Sequence, residues 1–312
     1  MRRPLILALL LAAPAGAQTA RAPFTVQESG QGFASLQDAL QSVRRPGPAT
    51  ILIAPGVYHE CALQQAGTIT FKAIEPGTAI FDGTTCEGKA ALVLRGEGSV
   101  VDGLVFRNMR VNDGNGAGIR TEIGDLTVLN SMFLDSQEGI LGGAAEGQRV
   151  VIDHSTFAGL GQCDESTDCA HSVYLGSQGS VTITNSRFER GHGGHYVKLR
   201  VPHVTITDSS FDDSAGHQTN YMIDLPEGAT GLIARNTFVQ GPDKENWSGM
   251  VVVAAEQRKY SSAGLTVTDN VATLAPGQSK SPAFVADISH EQLQISGNRL
   301  GPGVRAFETR NP

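Results

Sequence analysis

Basic charge is in short supply. Lys and Arg number 24 against 31 Asp and Glu, for a formal net charge of -7, which excludes the broad basic face that general nucleic-acid binding requires. Long apolar runs are missing beyond the opening segment, so no later stretch can cross a bilayer as a helix. Aromatics make up only 6% of the chain, while Val, Ile and Thr recur in short runs punctuated by 37 Gly. That balance favours strands over helices. Cysteine is limited to Cys61, Cys86, Cys163 and Cys169. The spacing of the last two, with no Cys or His partner at the usual interval, argues against a zinc site. Three disulfide connectivities are open, of which Cys61–Cys86 with Cys163–Cys169 is the simplest. In the loop-entropy account the longer loop would contribute about 3.5 kcal/mol and the shorter about 2 kcal/mol.

The chain begins MRRPLILALLLAAPAGAQTA. Arg2 and Arg3 supply a positive start, Leu5 to Ala13 a short apolar core, and Ala15-Gly16-Ala17 a small-residue cleavage site. Residues 1–17 therefore read as a secretory signal peptide, with a periplasmic or extracellular destination and a mature chain from near Gln18. Losing two Arg takes the charge to about -9 (-7 minus 2). No Cys stands at the cleavage site to anchor a lipoprotein. The remainder suffices for one elongated domain or two ordinary ones.

The chain repeats itself. VDGLVFRN, LTVLNSMF, VVIDHSTF, VTITNSRF, VTITDSSF and LIARNTFV are each a short alternating run with a polar corner and a Phe. Phe106, Phe133, Phe157, Phe188, Phe211 and Phe238 follow one another at 27, 24, 31, 23 and 27 residues. Weaker copies start at Leu265 and Leu293. Between successive Phe lies another short strand: GIR, GIL, HSVYL, HYVKL, YMIDL and MVVVA. A period in the twenties, with at least two strands per repeat and no helix between them, predicts a β-solenoid over 48–305, followed by a C-terminal tail at 306–312. The Leu positions of a leucine-rich repeat are missing. Stacked Phe and Val would fill the core, and Asn130, Asn185 and Asn236 would bond the corners. Residues 18–47 form an N-terminal segment in which SLQDALQSV is a cap helix. Ser35 is its N-cap, Asp38 sits at N3, and Leu36, Ala39, Leu40 and Val43 share a face.

The run FASLQDALQSV…TILIAPGVYHE, residues 33–60, resembles the opening of pectin-lyase-like proteins. With the Phe repeats, the resemblance covers nearly all of the mature chain. It implies an all-β, right-handed parallel β-helix with a capping helix. The fold carries lyases, hydrolases, esterases, epimerases and non-catalytic fibres, so it does not name a reaction. HSVYL, GHYVKLR and YMIDLPEG, continuing to GPDKEN and AAE, resemble a phrase of bacterial secreted β-helix repeat proteins.

Aligning the inter-Phe strands on Ile119, Ile140, Val173, Val197, Ile223 and Val252 turns the next residues outward: Arg120, Leu141, Tyr174, Lys198, Asp224 and Val253. Arg200 follows two places after Lys198. At the sheet edge Glu138, His171, His195 and Tyr221 form a ladder. A polar patch over three coils is thus expected from His171, Tyr174, His195, Lys198, Arg200, Tyr221 and Asp224, with Arg120 in support. Eliminative cleavage of a uronic-acid polysaccharide needs such a set. A cation (Arg200) neutralises the carboxylate, a base (Lys198 or His195) takes the α-proton, and an acid (Tyr221 or His171) protonates the leaving oxygen. The resemblance implies the same residue types, often with calcium.

Plainer readings stand beside these. Polar residues on an exposed sheet face keep a solenoid soluble, and Lys198–Asp224 can be a cross-rung salt bridge worth under about 1 kcal/mol. Asp212 and Asp213, followed by Gly216-His217, are similar to the acid pairs of polygalacturonases, whose further Asp motifs are missing; solvated turn residues fit better. Pectin methylesterases share the phrase at Gly56 to Glu60, but their Gln–Asp segments are not evident. The epimerase Asp-Pro-His-Asp signature is absent. The acidic loop from Cys163 to Cys169 can take calcium or stand as a disulfide-pinned, solvated loop. A monomeric polysaccharide lyase is expected. The alternatives are a non-catalytic carbohydrate-binding or cell-envelope solenoid and a glycoside hydrolase, the latter disfavoured because no carboxylate pair is expected in the groove.

Overall fold

The computed structural model describes residues 22–43, 47–143, 145–176 and 179–311. The expected signal peptide lies outside these residues. The chain winds into a parallel β-helix of about nine turns, with three long sheets of 12, 10 and 10 strands running along it. One turn shows the plan: Ser180–Thr184 in the first sheet, Arg187–Glu189 in the second and Val197–Arg200 in the third. The phrase VTITNSRF, read as one alternating run, is therefore two strands with a bend between them. The bend falls where a residue takes a left-handed conformation: Asn130 and Asn185 at φ 49, His154 at φ 48 and Asp208 at φ 56. Asn and Asp tolerate that region because their short polar groups bond locally. Asn130 and Asn185 each donate through Nδ2 to an Asp, Asp102 and Asp153, at 2.9 and 2.8 Å.

Asn236 is not in that column. It sits one place later, in a ladder of Ser131, Ser155, Ser186, Ser209, Asn236, Asn270 and Asn298, buried in all but the half-buried Asn298. Each side-chain oxygen accepts the backbone N–H of its predecessor, as from Ser155 to Ser186 (3.2 Å), Ser209 to Asn236 (3.0 Å) and Asn236 to Asn270 (2.9 Å).

The interior follows from period-two alternation. Val181 and Ile183 point in from their strand while its threonines face out. The Phe column forms as expected and gains Phe81. Phe133, Phe157, Phe188 and Phe211 stack at 4.8 Å between neighbouring centroids, which is the spacing of parallel strands. The helix Leu36–Ser42 closes the N-terminal end, with Ser35 Oγ accepting from Asp38 N at 3.1 Å and Leu36, Ala39 and Leu40 buried. Glu60, from the GVYHE phrase, accepts from Leu36 N at 2.8 Å and ties the cap to the first coil. Phe24–Val26 pairs antiparallel with Pro48–Ile53, so a strand joins the cap. At the other end the solenoid runs past the expected limit at 305, because Arg305–Thr309 pairs with Ala283–Asp287 as a last strand.

Candidate active-site groove

The third sheet carries the groove. Tyr174 pairs with Lys198 and Lys198 with Asp224 in parallel register, so the outward column of these three rungs is as the alternation predicts. One rung further the register differs from expectation: Ile223 pairs with Val251 and Asp224 with Val252, not Val253. The strand Gly249–Val253 is buried at all five positions, so alternation offers no mark by which to set it. Arg120 lies in the same column two rungs before Tyr174, separated from it by Leu141. Its charge acts on the buried carboxyl of Glu138, which burial pushes well above the usual range.

The edge ladder also forms. The ring of His195 lies 4.9 Å from that of His171 and 5.5 Å from that of Tyr221. GHGGHYVKLR reaches this position because its glycines pass close to other backbone. At Gly194 (φ 61) a Cβ would lie 2.0 Å from Ala170 O and 2.7 Å from His171 Nδ1. That proximity lets His195 N donate to His171 Nδ1 at 3.0 Å. The proton of neutral His171 is thereby placed on Nε2. Burial, with Lys198 and Arg200 nearby, pushes His171 down to about 3. Burial, His171, Lys198 and Lys244 hold His195 well below its usual value. Both rings are neutral at neutral pH. His195 Nδ1 is buried, and Nε2 faces Asp224 Oδ2 at 3.5 Å.

Lys198, Arg200, His171, His195 and Tyr174 line one open groove of about 620 Å³. Arg200 donates from Nε to the Tyr174 hydroxyl at 3.0 Å and from Nη1 to Glu227 at 3.3 Å. Burial opposes its charge, but the Tyr174 and Glu256 bonds outweigh that and hold it above its ordinary value. Lys198 Nζ lies 3.9 Å from Asp224 Oδ2 and 2.8 Å from Glu256 Oε1. Burial raises the Asp224 carboxyl to about 7, against the pull of Lys198 and with Glu256 adding to the rise. The ring of Tyr221 packs against that of His195 at a tilt of 41°, and its hydroxyl accepts from Asn246 Nδ2 at 2.7 Å.

Two groove carboxylates escaped the sequence reading. Glu256 lies beyond the third-sheet strand, and Glu245 lies in the loop before it. The ground for disfavouring a hydrolase, that no carboxylate pair is expected in the groove, is corrected by them. AAE and GPDKEN, in the phrase shared with secreted β-helix proteins, contained both, but no strand period places a loop residue. Asp213 is also corrected. It is fully buried, accepting from Tyr196 Oη (2.8 Å), Thr219 Oγ1 (2.7 Å) and Lys244 Nζ (3.1 Å), and is no solvated turn residue.

The disulfides Cys61–Cys86 and Cys163–Cys169 form in the simplest pairing. Thr167, Asp168 and Cys169 of the second loop wall the groove. Among the described residues no group of three or more His, Cys, Asp or Glu is placed to hold a metal ion, and Glu165 of the acidic loop is engaged by Arg110 and Gln137. No helix among the described residues is long and apolar enough to cross a membrane.

No family model and no curated protein matches the chain. Solved structures do. An alginate lyase from Paenibacillus sp. str. FPU-7 aligns with a TM-score of 0.65 at 17% identity, over 89% of this chain and 96% of that one. A pectin methylesterase mutant in complex with a hexasaccharide aligns at 0.41 and 12% identity, over 89% and 78%. A DFA-IIIase from Arthrobacter chlorophenolicus aligns at 0.44 and 11%, over 82% and 76%. The three-sheet cross-section, the stacked Phe column, the cap helix and the first of these likenesses show the fold to be a right-handed parallel β-helix.

Proposed function

We propose that the protein is a secreted enzyme that cleaves an acidic, uronic-acid polysaccharide by β-elimination in this groove. The observation that carries the reading is the placement of Lys198 and Arg200 together on the floor of one open groove of an acidic molecule. The shared fold with an alginate lyase points the same way, and two disulfides suit an oxidising compartment outside the cytoplasm.

The roles follow from the contacts. Arg200, with Lys198 beside it, neutralises the substrate carboxylate and makes the proton at C5 acidic. Lys198 in its neutral form takes that proton, with Asp224 Oδ2 behind it at 3.9 Å to receive the ammonium that results. The C5–H electron pair becomes the C4=C5 double bond and the C4–O bond breaks. The leaving oxygen receives a proton from the Tyr174 hydroxyl, and Arg200 Nε stabilises the phenolate left behind. Tyr174 suits this better than the acids expected from sequence: it lines the groove where Tyr221 does not, and His171 stays neutral down to about 3. His195 and His171 position Asp224 and the groove edge.

Glu245 and Glu256 favour one second reading, a glycoside hydrolase with a carboxylate pair. One assay separates the two. The mature protein is incubated with a panel of uronic-acid polymers, with and without calcium, and ultraviolet absorbance of an unsaturated uronate end is followed. A rise with one polymer is expected. It should fall at least about a hundredfold in Lys198→Ala and in Tyr174→Phe. New reducing ends without that absorbance would establish the hydrolase instead. Retention on an affinity gel with neither signal would leave a binding solenoid.

A further inference from the structure

Glu256 is an exposed member of an ion cluster in which Lys198, Arg200, Asp224 and Glu227 are enclosed. Its carboxylate bridges the two groove cations, Oε1 at 2.8 Å from Lys198 Nζ and Oε2 at 2.5 Å from Arg200 Nη2. Its side chain is 41% exposed, against 12% for Lys198 and 19% for Arg200. Burial would raise its pKa, but the two cations hold it below the usual range. The backbone beneath it is pinned, Glu256 N donating to Pro226 O at 2.9 Å, while the carboxylate reaches back over the floor. Each cation keeps another partner behind it: Asp224 for Lys198, and Glu227 with Tyr174 for Arg200. Lys259, which completes the cluster, pairs with Glu227 at 3.3 Å. Three cations (Lys198, Arg200, Lys259) therefore meet three carboxylates (Asp224, Glu227, Glu256) when Asp224 is ionised, a local sum of zero. Without Glu256 the sum is +1, the charge that one incoming carboxylate would match.

We propose that Glu256 is a resident stand-in for the substrate carboxylate, a specificity-determining residue that a uronate must displace from Lys198 and Arg200 before it can bind. The inference rests on the acidic-polysaccharide reading of the groove. A neutral sugar has no anion to bridge both cations and leaves Glu256 in place.

The test is calorimetric. A uronate oligomer and its carboxyl-reduced, neutral counterpart are titrated into Tyr174→Phe protein, which does not consume the ligand, and into the same protein carrying Glu256→Gln. Glu256→Gln is expected to bind the uronate oligomer about tenfold more tightly and the neutral oligomer unchanged, with the gain shrinking as salt is added. Equal or weaker binding of the uronate oligomer, at an unchanged melting temperature, would overturn the proposal and make Glu256 a brace for the two cations. Binding of no uronate oligomer by either protein would overturn it together with the assigned substrate class. Should Glu256→Gln melt early, Glu256→Ala gives the same comparison without an amide to re-bond.

Discussion

His171 is neutral in the folded protein down to about 3, whereas in an unfolded chain its ordinary value is 6.5. Between those limits the unfolded state holds more protons, so this ring contributes stability above 6.5 that is lost as pH falls through the window. His195, held well below its ordinary value by burial, acts in the same sense. Asp224 acts oppositely. Raised from 3.8 to about 7, it contributes stability at low pH that is lost as pH rises through 7. Glu138, which burial pushes well above the usual range, acts as Asp224 does, so two imidazoles stand against two carboxyls, and the share that belongs to His171 is a loss of stability as pH falls from 7 to 4. Urea unfolding at stepped pH checks this, and His171→Asn should flatten the slope. A slope unaltered by that change would place the acid sensitivity elsewhere. The His171–His195–Tyr221 ladder was legible in the sequence because a shared strand period sets all three. Glu256 was not, because its position depends on how a loop folds back over the sheet.

The corner ladder is the element on which sheet-to-sheet geometry turns. Asn236 is buried, accepts from Ser209 N at 3.0 Å and donates to Ile206 O at 2.8 Å. Asn236→Ala leaves both backbone groups without a partner in the interior and should cost about 2–4 kcal/mol in urea or thermal unfolding. A loss under 1 kcal/mol would mean that water takes over the bonds. Reading Asn130, Asn185 and Asn236 as one column was natural, since each falls two or three residues before a Phe. Only the bend decides that the first two take the left-handed position, exposed, while the third turns inward. In the same way, period two set the register of Val173, Val197 and Ile223. It failed at Gly249–Val253, where every residue is apolar and buried and a shift of one place changes nothing in the pattern.

Across the whole molecule, two devices far apart in sequence shape the groove. The Cys163–Cys169 loop supplies one wall. Replacing both cysteines by Ser should lower stability by about 2 kcal/mol in the loop-entropy account and raise KM more than it lowers kcat, since the loop borders substrate and not the reacting atoms. An unchanged KM would remove the loop from substrate contact. Beside the groove, Lys244 and Asp213, neither of them exposed, lock three successive inter-sheet loops together through Tyr196 and Thr219. Lys244→Ala would strand a buried carboxylate and should cost about 3–5 kcal/mol, measurable as a lowered urea midpoint.

By itself the sequence determined the solenoid, its cap and the line of Phe, because those depend on periodic burial, which repeats along the chain whatever the distant contacts are. It also determined that Tyr174, Lys198 and Asp224 stack, since parallel pairing preserves the alternation from rung to rung. Tertiary structure alone decided which charges meet. Glu256 closes over Lys198 and Arg200, and Asp213 goes inward to Lys244, because the loops between strands obey no period. Their side chains are placed by the fields and cavities that the finished coil presents.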